Sequence, residues 1–166
     1  MKKESIIAAI AATALCFALA GPAFAADLNK DTTSGTTTVT YTVSDSYTVS
    51  IPADVAFASD SLSKAGTVSA SNVILVDGKT LTVKVASANG YALKCGTGTA
   101  SSIAYTLTPA GGSALSGTDA TTVLTVAAGT TSGSTNLTFA TTAQNIASAT
   151  KAGDHTDTLT FTCSVA

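Results

Sequence analysis

The chain of 166 residues contains no tryptophan and no arginine, a single glutamate (Glu4), a single histidine (His155), three cysteines and three prolines; only 11% of its residues are charged. Each scarcity excludes something. Without arginine or a lysine-rich stripe there is no basic face to neutralise phosphates, so nucleic acid is not an expected partner, nor is an anionic lipid surface. One histidine cannot supply a zinc ligand set. It would have to serve alone as the base of any Ser–His–Asp hydrolase, with Asp154 or Asp157 as orienting acid, and no nucleophile-elbow motif accompanies it. Its position at the entry to a strand suits a solvated polar residue. Asp154 and Asp157 lack the pattern of a calcium loop. No Cys-x-x-Cys redox pair is present. Catalytic residues, metal ligands and cofactors are therefore not expected.

What the chain does have is alternation. In Leu159-Thr160-Phe161-Thr162-Cys163-Ser164-Val165 every second residue is apolar and the others carry hydroxyls. Strand side chains point to opposite faces with a period of two, so this segment reads as a strand with one oily and one hydroxylated face. Threonine and valine dominate such segments because β-branching suits a pleated surface.

The front of the chain reads as an export signal. Met1-Lys2-Lys3 is positive, Ile6 to Ala20 is apolar, Gly21-Pro22 breaks the helix, and Ala23-Phe24-Ala25 offers small residues for cleavage after Ala25. The apolar run is shorter than the ~20 residues that span a bilayer, which sets aside a retained anchor. Leu15 directly before Cys16 does not suit lipidation. Residues 1–25 are thus expected to be a signal peptide, 26–35 a flexible tail, and 36–166 one β-sandwich domain. Cleavage leaves six lysines against nine aspartates, a net charge of −3, and no transmembrane segment. The product is expected to be secreted, extracellular or held in a cell envelope.

About nine short strands follow. Thr36–Val43 is the first, with Val39, Tyr41 and Val43 on one face. Tyr47, Val49 and Ile51 form the next set, which Pro52 closes. Asn72–Val76 and Lys79–Val85, joined by Asp77-Gly78, read as a hairpin. Asn89-Gly90 precedes Tyr91, Leu93 and Cys95. Ile103, Tyr105 and Leu107 make one inward set, and Pro109 to Gly112 stops it. Thr121–Ala127, Ser134–Thr141 and a final strand after His155 complete the series, with a helical turn within Gln144–Thr150. Even spacing and turn chemistry predict an all-β fold, an Ig-like or Greek-key sandwich of about 7–9 antiparallel strands.

Parity gives further expectations. Cys95 and Cys163 both face inward in an exported chain, which permits a disulfide worth about 4 kcal/mol; the alternative is a pair of buried thiols. Tyr41, Tyr47, Tyr91 and Tyr105 share parity with apolar neighbours and read as core. Lys84 and Lys94 point outward, where charge discourages edge-to-edge association.

Two segments carry a resemblance. Ala152-Gly153-Asp154-His155-Thr156-Asp157-Thr158-Leu159-Thr160-Phe161-Thr162 resembles the closing segment of bacterial surface β-sandwiches: spore coat U-like domains, pilin-like domains and WxL-type envelope proteins. Tyr47-Thr48-Val49-Ser50-Ile51-Pro52-Ala53 resembles the opening segment of similar secreted proteins. His155 stands where those have an aromatic residue, and the chain has no WxL motif. The resemblance implies a structural role without catalytic residues. Two functions follow as expectations. One is a structural cell-surface or pilus-like fibre subunit that associates with itself or other envelope proteins; Thr36–Val43 then either pairs within its own domain or, with Val39, Tyr41 and Val43 as its inward row, is a strand donated to a neighbour. The other is a monomeric adhesin that contacts a glycan or host protein through loops such as Gly96–Ser101 and Gly111–Gly117.

Overall fold

Nine strands and one short helix make up the regular structure of the computed structural model, which describes residues 30, 31, 33–96 and 101–166. The expected signal peptide, part of the tail and residues 97–100 lie outside the described residues. The strands are β1 (Ser46–Ser50), β2 (Ser63–Ile74), β3 (Thr80–Ser87), β4 (Ala92–Cys95), β5 (Ser101–Ala104), β6 (Thr106–Pro109), β7 (Thr121–Ala127), β8 (Gly133–Ala140) and β9 (Leu159–Val165); helix α1 is Ala143–Ala147. They form an antiparallel, all-β, sandwich-like fold. One sheet has the order β1-β2-β8-β6, the second β7-β3-β9, and β4-β5 is a small pair. Among the described residues, no helix is long and apolar enough to cross a membrane.

The core is built from the expected inward rows. Leu81, Val83 and Val85 of β3 face Val68, Ala70 and Val73 of β2, and Leu107, Leu137 and Phe139 continue the layer. Lys84 and Lys94 are exposed, as their parity requires. Val123 and Leu124 are consecutive yet both buried, because the β3–β7 register shifts between Val83 and Lys84.

Asp77-Gly78 does make a tight turn: Lys79 N donates to Val76 O at 3.0 Å, and Gly78 has φ 79°. The expected hairpin across it does not form. β2 pairs with β1 and β8, whereas β3 pairs with β7 and β9. Both strands are interior to their sheets and have no free edge for each other, so the turn arches the chain from one sheet to the other. The Ile103–Leu107 row likewise divides. Ile103 lies in β5, Leu107 lies in β6 on the larger sheet, and Tyr105 between them donates its N–H to Tyr91 O at 3.0 Å.

Thr36–Val43 is not a strand. Residues 33–45 form no ladder with the rest of the described chain, and Val39, Tyr41 and Val43 are 91%, 89% and 55% exposed. Alternation sets an extended backbone, but a ladder also needs an edge, and the fold offers this segment none in its observed course. Tyr41 is therefore not a core residue. Tyr91 and Tyr105 are buried, and Tyr47 is half-buried.

Cys95 and Cys163 are both free thiols. Cys163 packs against the core as parity predicts, the Cys95 thiol lies against the loop 3.7 Å from Ala152 O, and parity says nothing of position along the strand. Lys94 bridges Thr156, seven residues before Cys163. At about 3.3 Å per residue the two cysteines stand roughly 20 Å apart, while a disulfide needs Cα atoms within about 7 Å. Alkylation of the denatured protein without reductant should therefore label both Cys95 and Cys163; an unlabelled pair that becomes reactive only after reduction is the contrary result.

Candidate functional site

Among the described residues, β9 is bonded on one side only. Thr80 and Ala166 exchange backbone hydrogen bonds of 2.9 and 3.2 Å, and Ala88 N donates to Thr158 O at 2.9 Å. Antiparallel alternation then turns the backbone groups of Thr160, Thr162 and Ser164 toward β3, and those of Leu159, Phe161, Cys163 and Val165 toward the outer edge. The side chains of these same four residues form the inner row, and all four are only half-buried. Across β3 the matching row, Leu81, Val83 and Val85, is at most 1% exposed. The core is thus closed at the centre of the smaller sheet and open along β9.

The opposite lip of this opening is β1 with the stretch that follows it. Pro52 lies against Gly66 of β2, where an added Cβ would meet Pro52 Cβ and Cγ at 3.0 Å and Phe139 Cε2 at 3.1 Å. Glycine lets Pro52 settle this close over the inner face without either neighbour having to give way. That path brings Ile51, Val55 and Phe57 opposite Leu159 and Phe161, with Leu93, Tyr105 and Phe139 as floor, around a cavity of about 320 Å³. At the far end Tyr47 lies beside Cys163; burial first, and then the neighbouring thiol, push its phenol above the usual range.

The near end of the seam is fixed by Asp157. Its Oδ2 accepts from Ser87 Oγ at 2.6 Å and Tyr105 OH at 2.7 Å; its Oδ1 accepts from Asn89 N at 3.1 Å and Thr158 N at 2.8 Å. Ser87 Oγ, itself 2% exposed, accepts from Tyr91 N at 2.7 Å. This bond holds Tyr91 at φ 64°, a strained value for a bulky residue. Four donors fill the four acceptor positions of the carboxylate, so Asp157 is a structural rivet where β9 begins. Burial, and then the bond to Asp157, hold the Tyr105 phenol far above the ordinary tyrosine range.

His155 is not a solvated surface residue. It is half-buried, with Nδ1 2.9 Å from Gly153 O and Nε2 2.8 Å from Ser101 Oγ. Facing a carbonyl, Nδ1 carries the proton, so Nε2 accepts from the Ser101 hydroxyl. The pair has the spacing of a nucleophile and its base. Ser101, however, is 1% exposed, and its oxygen already accepts from Thr150 N at 2.9 Å and Lys151 N at 3.3 Å. Both lone pairs are occupied, and no substrate can reach them. The dyad pins the Thr150–His155 loop to β5. Asp157 takes no part in it. Among the described residues, no three His, Cys, Asp or Glu side chains gather in metal-binding geometry.

The structure therefore brings together an open apolar seam and, on the same molecule, an uncharged exposed arm bearing Val39, Tyr41 and Val43. Asp45 Oδ1 accepts from Val76 N at 2.7 Å and fixes the root of the arm. The arm's row was readable from sequence. The seam was not, because half-cover of β9 depends on which strand lies beside it. Its one local sign is the inward spacing of Val55 and Phe57 after Pro52. The Gly111–Gly117 loop is exposed apart from half-buried Leu115, whose N–H donates to Leu107 O at 2.8 Å. Comparison with protein-family models, with curated proteins and with solved structures returns no match.

Asp157→Ala strands a buried serine hydroxyl and a tyrosine hydroxyl, and should cost about 2–4 kcal/mol in urea unfolding. Tyr105 gives a pH signature. Its phenol ionises near pH ~10 in the unfolded chain and well above that in the folded one. Its contribution to stability is thus complete below about pH 10 and falls as pH rises further. In Tyr105→Phe the alkaline decline of the urea midpoint should be shallower than in the parent.

Proposed function

We propose that this protein is a secreted, non-enzymatic structural subunit of a cell surface or fibre, joined to its neighbours by its N-terminal arm. The observation that carries this reading is the arm itself: a segment in which Val39, Tyr41 and Val43 alternate with threonines, all exposed, whereas the inward apolar rows of β2, β3, β7, β8 and β9 are buried or half-buried. Residues 33–44 carry no charge and no proline. Soluble proteins guard exposed β-segments with exactly those features, because an unguarded uncharged strand pairs with other chains. Strand addition uses such a segment: main-chain bonds supply affinity and alternate side chains enter pockets. The resemblance of the closing segment to spore coat U-like and pilin-like domains supports a structural role, as does the use of the Ser101–His155 pair to hold a loop.

The mass of the mature chain in solution tests this, with and without residues 26–44. The full chain should form concentration-dependent oligomers, and the truncated chain should remain monomeric, since the arm makes no ladder with the domain. Monomers in both cases would instead favour the adhesin reading, in which exposed loops such as Gly111–Gly117 contact a glycan or a host protein.

A further inference from the structure

We infer that the acceptor for the arm is the outer edge of β9 in a second copy of the chain, where residues 36–43 add as a fourth strand to the β7-β3-β9 sheet and Val39, Tyr41 and Val43 enter the seam. This inference rests on the proposal that the arm is donated, and adds where it docks.

Four edges compete. On β6 the inner residue Leu107 is fully buried, and its carbonyl already accepts from Leu115 N. On β7, Val123, Leu124 and Val126 are 3–7% exposed, so a strand added there would gain main-chain bonds and little apolar burial. β1 spans five residues, and its inner row leaves only Tyr47 and Val49 half-covered. β9 spans seven, its outward backbone groups belong to Leu159, Phe161, Cys163 and Val165, and the same residues bear the half-covered inner row. There one added strand satisfies the longer open ladder and covers four half-buried residues, against two on β1. Because backbone pairing and inward side chains alternate in step, a strand bonded to β9 sends alternate residues inward, which is the spacing of Val39, Tyr41 and Val43.

The occupant is a second copy for a geometric reason. Two residues, Ser44 and Asp45, separate Val43 from β1. The root is held on the β1-β2-β8-β6 side, where Asp45 Oδ1 accepts from Val76 N, and from there the chain's own arm leaves its seam uncovered, with Val39 and Tyr41 91% and 89% exposed. The arm that reaches β9 therefore comes from a neighbour.

Amide hydrogen exchange on the full mature chain, dilute and concentrated, tests the assignment. On assembly, exchange at Leu159, Phe161, Cys163 and Val165 should slow by about tenfold or more. Tyr41→Ser, at a side chain 89% exposed that leaves the fold intact, should abolish both the slowing and the oligomer. If oligomers form through the arm but the new protection falls on Thr121–Ala127, Thr106–Pro109 or Ser46–Ser50, the β9 assignment is wrong while donation stands. If β9 becomes protected with equal strength in Tyr41→Ser, the seam has a different occupant and the inference fails. If no oligomer forms and the arm amides exchange freely at every concentration, donation itself fails with it.

Discussion

A strand interior to a sandwich has two bonded edges and a covered inner face; β9 has one bonded edge and half a cover. Much of the remaining structure is arranged around that deficit. The Asp157 carboxylate gathers four donors to fix where β9 starts, and Gly66 lets Pro52 settle close enough for Val55 and Phe57 to face the exposed row. Each holds one lip of the seam in place without closing it. An apolar row left half in water costs free energy in proportion to its uncovered area, and that cost is what a pairing strand would recover.

The fold was legible in the sequence where the argument needed only one strand at a time. Alternation in Leu81-Thr82-Val83-Lys84-Val85 told which side chains face inward, and they do. It failed where the answer depended on two strands at once. Asp77-Gly78 marks a reversal of the chain, but whether a reversal makes a hairpin or an arch depends on which edges are already bonded, and those partners lie far along the chain. Cys95 and Cys163 share a parity for a local reason and lie apart, in different sheets, for a non-local one. Thr36–Val43 has every local property of a strand and lacks only a neighbour. Of the candidate site, the donor row could be read from periodicity and the acceptor could not. Asp157 and Ser87 gave no signal beyond being polar residues at strand ends, although their bonds define the start of the seam.

The polar residues are used sparingly and locally. The one histidine, which sequence reasoning weighed against hydrolase chemistry, holds a loop by bonds to Gly153 and Ser101. Threonines line the outer faces, where water satisfies their hydroxyls, and long charged side chains are few. Such a surface has little long-range field to steer a partner or repel a copy of itself. Recognition by this molecule depends on shape and on backbone groups rather than on charge.

The order of the strands has a consequence for how the molecule comes into being. In the two main sheets only β1 and β2 are consecutive neighbours; β2–β8, β6–β8, β3–β7 and β3–β9 all join distant parts of the chain. Topologies dominated by such distant pairings form slowly. The middle strand of the smaller sheet waits for partners synthesised long after it, β7 and then β9, so this sheet stays open until β9 has been made.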